Sequence, residues 1–225
     1  MPTEIVHLKR GYIAHASIAK LDDEKLIYSG KDPYDERTNH TRFSIFNFLS
    51  DSVYCFGEYP SEDKEIDKIP STGYNRLTAY QGNITVKPDK RKAVMIYYYA
   101  VGFDIIDITT QTIAISKMYQ YPMVDLLTIP NTNIQGIKNN SESYRGFIDL
   151  FCNDYFIYVL YSDKTFEENY REGRHILKYD WDGNPVCRYI LSEEISSFTI
   201  DKYEKNLYAT RNDEEFGYII RYQMN

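Results

Sequence analysis

Residues 146–191 read GFIDLFCNDYFIYVLYSDKTFEENYREGRHILKYDWDGNPVCRYIL, and the fold follows from how this stretch is built. Gly146–Cys152 is a short apolar run ending at Asn153-Asp154, and Tyr155–Tyr161 is a second run of bulky and β-branched residues. A polar loop to Arg174 leads into His175–Asp180, and Asp182-Gly183-Asn184 separates that run from Val186–Leu191. Ile, Val, Tyr and Phe suit a pleated, half-buried surface. Asn, Asp and Gly accept the backbone angles that tight reversals require. The stretch is therefore a meander of four antiparallel strands.

Working outward, the same plan recurs on both sides. Upstream, Asn83–Lys87, a Pro88-Asp89-Lys90 turn, Ala93–Tyr99, Phe103–Ile108 and Thr112–Met118 form one copy. Before it come His15–Leu21, a turn at Asp22 to Lys25, Leu26-Ile27-Tyr28, Phe43–Phe48 and Val53–Phe56. Downstream, Ser197–Ile200, a turn at Asp201 to Lys205, Asn206–Thr210 and Tyr218–Tyr222 give a last copy of three strands. The repeats cover about residues 11–60, 78–121, 145–192 and 196–225 of a single domain spanning 1–225. One strand at 3–9 is left outside them. Runs such as Ala93–Tyr99 are apolar on both faces, so each sheet must be covered on both sides. Repeated four-stranded sheets stacked face to face define a β-propeller. A β-sandwich would not explain the recurrence. A second strand order at the ends is expected, with Ile5–Leu8 pairing Tyr218–Tyr222.

Composition agrees. Of 225 residues, 25 are Ile and 23 Tyr, against 8 Ala and 12 Leu, which is a strand composition and not a helical one. The net charge of −7 opposes nucleic-acid binding, which needs clustered Lys and Arg against phosphate. No apolar window is long enough for a transmembrane helix, and MPTEIVHLKR lacks the apolar core of a secretory signal. Three widely spaced cysteines (Cys55, Cys152, Cys187) make neither a disulfide framework nor a zinc site. Cys55 and Cys152, inside apolar runs, are expected to be buried.

The run HILKYDWDGNPVCRYILSEEISSFTIDKYEKNLYATRNDEEFGYIIRYQ (175–223) resembles the C-terminal blades of the TolB-like six-bladed β-propeller proteins of bacteria. The Y-D-W-D-G-N-P hairpin, the strand ending at Ile200-Asp201, the N-L-Y-A strand and the final I-I-R-Y strand carry the likeness, and GFIDLFCNDYFIYVLYSD looks like the preceding blade. The resemblance implies an all-β propeller of four-stranded blades and a place in the cell envelope. With about four blades here, the chain is either a partial six-bladed arc or a closed four-bladed ring.

Chemistry is sparse. There is no G-x-S-x-G, H-E-x-x-H, G-x-G-x-x-G or Walker-type loop, so no catalytic residue and no cofactor is expected. Four scattered histidines give no metal site. Asp180-Trp181-Asp182-Gly183-Asn184 departs from calcium-loop spacing and reads as a hairpin. Propeller function resides on loops at one mouth of the scaffold. Those loops hold Tyr34, Tyr74, Arg76, Tyr144, Arg145, Tyr170 and Arg171, of the residue types enriched at binding hot spots. The expected function is a non-catalytic binding or scaffolding module for a protein or carbohydrate ligand. The alternative is a carbohydrate-active or other hydrolytic enzyme with channel carboxylates such as Asp104, Asp107 and Asp149.

Overall fold

In a computed structural model the chain is described over residues 17–30, 40–60, 73–128, 135–168, 171–212 and 217–224. The first meander comprises β1 (Ile18–Lys20), β2 (Lys25–Ser29), β3 (Thr41–Asn47) and β4 (Ser52–Glu58). The second holds β5 (Gly82–Val86), β6 (Lys92–Tyr97), β7 (Val101–Asp107) and β8 (Thr112–Gln120). A hairpin, β9 (Val124–Thr128) and β10 (Gln135–Asn139), precedes the third, which is β11 (Phe147–Cys152), β12 (Phe156–Tyr161), β13 (Gly173–Asp180) and β14 (Pro185–Ile195). The fourth contains β15 (Ser197–Ile200), β16 (Asn206–Asn212) and β17 (Gly217–Gln223). Every sheet pairs its strands in chain order, antiparallel throughout.

The first strands of the meanders lie side by side, β1 against β5, β5 against β11 and β11 against β15. This is the blade arrangement of a propeller, with the sheets stacked in order. Alternation along a strand explains why both faces are apolar. On β6, Ala93, Met95 and Tyr97 enter the core shared with the first blade, beside Ile27, Phe43 and Ile45. Val94 and Ile96 point the other way, onto Phe147, Ile157 and Val159 of the third blade. Tyr158 and Leu160 of β12 then turn to Phe198, Ile200 and Leu207 of the fourth.

Among the described residues no backbone ladder joins one of these blades to the next. Side chains bridge the gap at the first strands. The Ser17 hydroxyl accepts the Ile84 amide at 2.8 Å, and the Asp149 carboxylate accepts the Phe198 amide at 2.8 Å.

One end of the stack is closed by carboxylate- or amide-capped turns. Asp22 accepts the Glu24 amide, Asp89 the Arg91 amide, Asn153 the Tyr155 amide and Asp201 the Lys205 amide. Asn47, Asp107 and Asp180 do the same for the turns before the fourth strands. These are Asx turns, the local mimic of a backbone reversal. In the third blade the capping residue is Asn153 and not its neighbour Asp154.

Large side chains from these turns plug two of the junctions. Between the second and third blades, Trp181 is buried, donates its indole N–H to the Asn153 carbonyl at 3.0 Å and lies 5.6 Å from the Lys87 ammonium. Between the third and fourth, Glu204 accepts from Asn153 Nδ2 (2.7 Å), the Tyr158 hydroxyl (2.7 Å) and Lys178 Nζ (2.9 Å).

Two elements were not expected. A short helix, α1 (Gly73–Ala79), leads into β5 where the sequence suggested only a loop. Arg76, Leu77 and Ala79 are good helix formers. Leu77 also packs over Gly30, where a Cβ would stand 3.3 Å from its side chain, and Ala79 is fully buried. The β9–β10 hairpin is the second. The expected pairing of Ile5–Leu8 with Tyr218–Tyr222 involves a segment outside the described residues, as does Glu62 to Asp67, a charge run that reads in the sequence as a solvated loop.

Candidate functional site

The end opposite the Asx turns carries the long connections, and there arginines meet tyrosines at the blade junctions. At the first junction, Arg42 begins β3 with its side chain almost wholly buried, 2.7 Å from Asp104 Oδ2. Its Nη2 donates to the Tyr97 hydroxyl at 2.5 Å, and that hydroxyl donates to Asp104 at 2.5 Å. Ser116 donates to the other carboxylate oxygen at 2.7 Å. The guanidinium is surrounded by the rings of Tyr97 (5.1 Å), Tyr80 (5.2 Å), Tyr59 (5.8 Å) and Phe43 (5.9 Å). Burial opposes its charge, but Tyr97 and Asp104 outweigh that opposition and raise the guanidinium pKa above its ordinary value. A buried arginine survives because it is both paired and stacked.

Arg76 of α1 sits above this group, 6.0 Å from the Tyr59 ring and 3.3 Å from the His40 ring nitrogen. At the second junction Arg145 lies 4.5 Å from the Tyr98 ring and 5.4 Å from Tyr99, and Tyr99 packs on Phe166. Tyr144 bridges to Thr165 and is 43% exposed, while Arg171 is exposed on the β12–β13 connection. Thus Arg76 and Arg145 are placed on tyrosines of the adjoining blade, and Tyr144 and Arg171 face solvent. Tyr34 and Tyr170 lie outside the described residues, and Tyr74 stands in α1. Sequence reasoning missed Arg42, Tyr59, Tyr80 and the Tyr97-Tyr98-Tyr99 run. The run reads as strand, yet its last two residues leave the ladder and turn to the rim.

The carboxylates considered for catalysis are each engaged elsewhere. Asp104 is held by Arg42 and Ser116, Asp107 caps the Thr109 and Thr110 amides, and Asp149 caps Phe198. Burial raises the Asp149 pKa, with the Phe198 amide pulling against it. Among the described residues no group of three His, Cys, Asp or Glu is placed to hold a metal, and no helix is long and apolar enough to cross a membrane. Cys55 and Cys152 are half-buried rather than fully so, and burial pushes the Cys152 thiol up to about 11.

Burial also pushes Tyr59 up to about 12 from the ordinary 10.0, and it holds Tyr97 well above its ordinary value. The folded chain keeps phenolic protons that the unfolded chain releases near pH 10.0, so this contribution is complete below that pH and is lost through about 12. The denaturant midpoint is expected to fall across that window, with part of the tyrosinate absorbance appearing only on unfolding. A midpoint flat across the window would contradict the burial of these phenols.

A family model described as TolB-like 6-blade propeller-like matches residues 4–203. The chain belongs to this TolB-like family. Four meanders are its blades among the described residues, and the family resemblance is borne out over 4–203, which takes in 175–203 of the run that carried it. No curated protein matches the TolB-like chain. Solved structures similar to it include the Pan2 WD40 domain of Neurospora crassa, at 9% identity and a TM-score of 0.49. That match covers 86% of this chain and 45% of the other, so the TolB-like chain spans less than half of its length.

Proposed function

We propose that the chain is a non-catalytic binding module, one propeller domain over 1–225, that engages a protein ligand at its loop end. The observation that supports this is the difference between the two ends. At the turn end the reversals are short and each is capped by its own Asx residue. At the loop end, long connections present Tyr144 and Arg171 to solvent beside arginines already braced by tyrosine rings. Braced side chains lose little freedom on binding, which favours them as anchors.

The test is selection of peptide ligands from a displayed library, run beside a glycan array, followed by affinity measurement on variants. Tyr144→Ala combined with Arg171→Ala is expected to weaken a selected ligand by about thirtyfold, the scale of a hot-spot loss. Tyr155→Ala, at an exposed residue of the turn end, leaves it unchanged. Ligands indifferent to the first pair and lost with the second would refute the assignment. Ligands found only on the glycan array would refute the protein partner.

A further inference from the structure

The blade junctions at the turn end are not equivalent, and the difference exposes a cleft. The residue following the Asx cap of the second turn is Ile108 in the second blade and Trp181 in the third, and each packs toward the preceding blade. In the first turn, Lys90 and Glu204 occupy matching positions. Each has a positive φ, 60° and 55°, and each amide bonds the carbonyl three residues earlier. The residues facing them correspond too, because Tyr158 pairs Lys178 as Ile27 pairs Ile45.

Trp181 fills the second junction and Glu204, on Lys178 and Tyr158, fills the third. The first junction has Ile108 in place of the indole, and Lys90 with Ile45 in place of the Glu–Lys pair. There a cleft of about 440 Å³ opens, with Leu21, Ile45 and Ile108 on its apolar side and Lys25, Lys90 and Tyr54 among its polar lining. The Asp22 carboxylate in the same lining is turned to the Glu24 amide. The volume lies within the range of small-molecule sites, and the apolar wall faces a more numerous polar side that also includes Asn47, Ser52 and Gln111.

We propose that this cleft binds a small aromatic carboxylate, its ring on Ile45 and Ile108 and its carboxylate on Lys90. Such a ligand supplies at the first junction what Trp181 and Glu204 supply at the others. The site lies at the opposite end from the proposed protein-binding loops and is independent of them.

The experiment is a calorimetric titration of the full chain with indole-3-propionate and with its neutral amide. Saturable one-to-one binding of the acid is expected, with the amide weaker by about tenfold, the scale of a charge-assisted contact. Lys90→Glu, at an exposed turn residue, is expected to reverse the preference between acid and amide. Ile108→Trp, which rebuilds the plug of the second junction, is expected to abolish binding while circular dichroism stays unchanged. Tyr144→Ala leaves the titration as it was. No saturation by the acid, equal binding of acid and amide, or an acid preference retained by Lys90→Glu would each overturn the proposal.

Discussion

Asp104→Asn is expected to lower the unfolding free energy by about 3–5 kcal/mol, the scale on which removing one partner of a buried ion pair destabilises. The carboxylate is wholly buried and receives Arg42, the Tyr97 hydroxyl and Ser116. Its amide replacement leaves the guanidinium charged in a pocket of aromatic rings, with desolvation unrelieved. Cation–π contacts with Tyr80 and Tyr97 soften the loss but are individually smaller, about 0.5–2 kcal/mol. Because the pair joins β3 of the first blade to β7 of the second, the loss is of junction stability and not of one sheet. Removing both charges, as Arg42→Met with Asp104→Leu, is expected to restore most of the stability. Guanidinium-induced unfolding followed by tyrosine fluorescence reads both variants. A loss under about 1 kcal/mol for Asp104→Asn, the range of an exposed pair, would mean that the pair is solvated.

The second large effect concerns two glycines at matching places, just before or at the start of a blade's first strand. A Cβ at Gly82 would stand 1.7 Å from the Ile96 carbonyl oxygen, and one at Gly146 would stand 1.9 Å from that of Ala100. Both neighbours are backbone, and the Gly146 amide is itself bonded to the Tyr98 carbonyl at 2.8 Å. Neither side can yield without breaking strand pairing or the rim. Gly82→Ala and Gly146→Ala are each expected to cost about 3 kcal/mol, the upper end for overpacking a dense interior. Thermal melts of the two variants test this, with Tm values near that of the parent chain as the contrary result. The Gly146 variant should also disturb the rim, since Arg145 and its tyrosine partners adjoin it.

Much of the architecture was legible because it is local. Asp22, Asp89 and Asp201 mark reversals in the sequence and cap them in the structure, and the two-sided apolar run at Ala93–Tyr97 is shared between two cores. Asn153 displaced Asp154 as cap, which the pattern could not decide since both residues suit an Asx turn. The site was less legible. Arg42 sits in a polar stretch and reads as a solvated cation, and its burial follows from Tyr59, Tyr80, Tyr97 and Asp104 arriving from distant segments. Tyr98 and Tyr99 look like strand, and only the end of the β6 ladder at Tyr97 sends them to the rim. Arg76 and Arg145 could be named from residue type and loop position, but not the rings that hold them.

The separate ladders have a consequence for how such chains diversify. Neighbouring meanders meet through wedged side chains and single amide caps, so no register is handed from one to the next. Duplicating or deleting a whole meander in the gene leaves the pairing inside every remaining one intact, and the new boundary needs only a fitting wedge. Repacking at boundaries such as Ile108 against Trp181, rather than rewiring of backbone, is then the currency of divergence among these repeats.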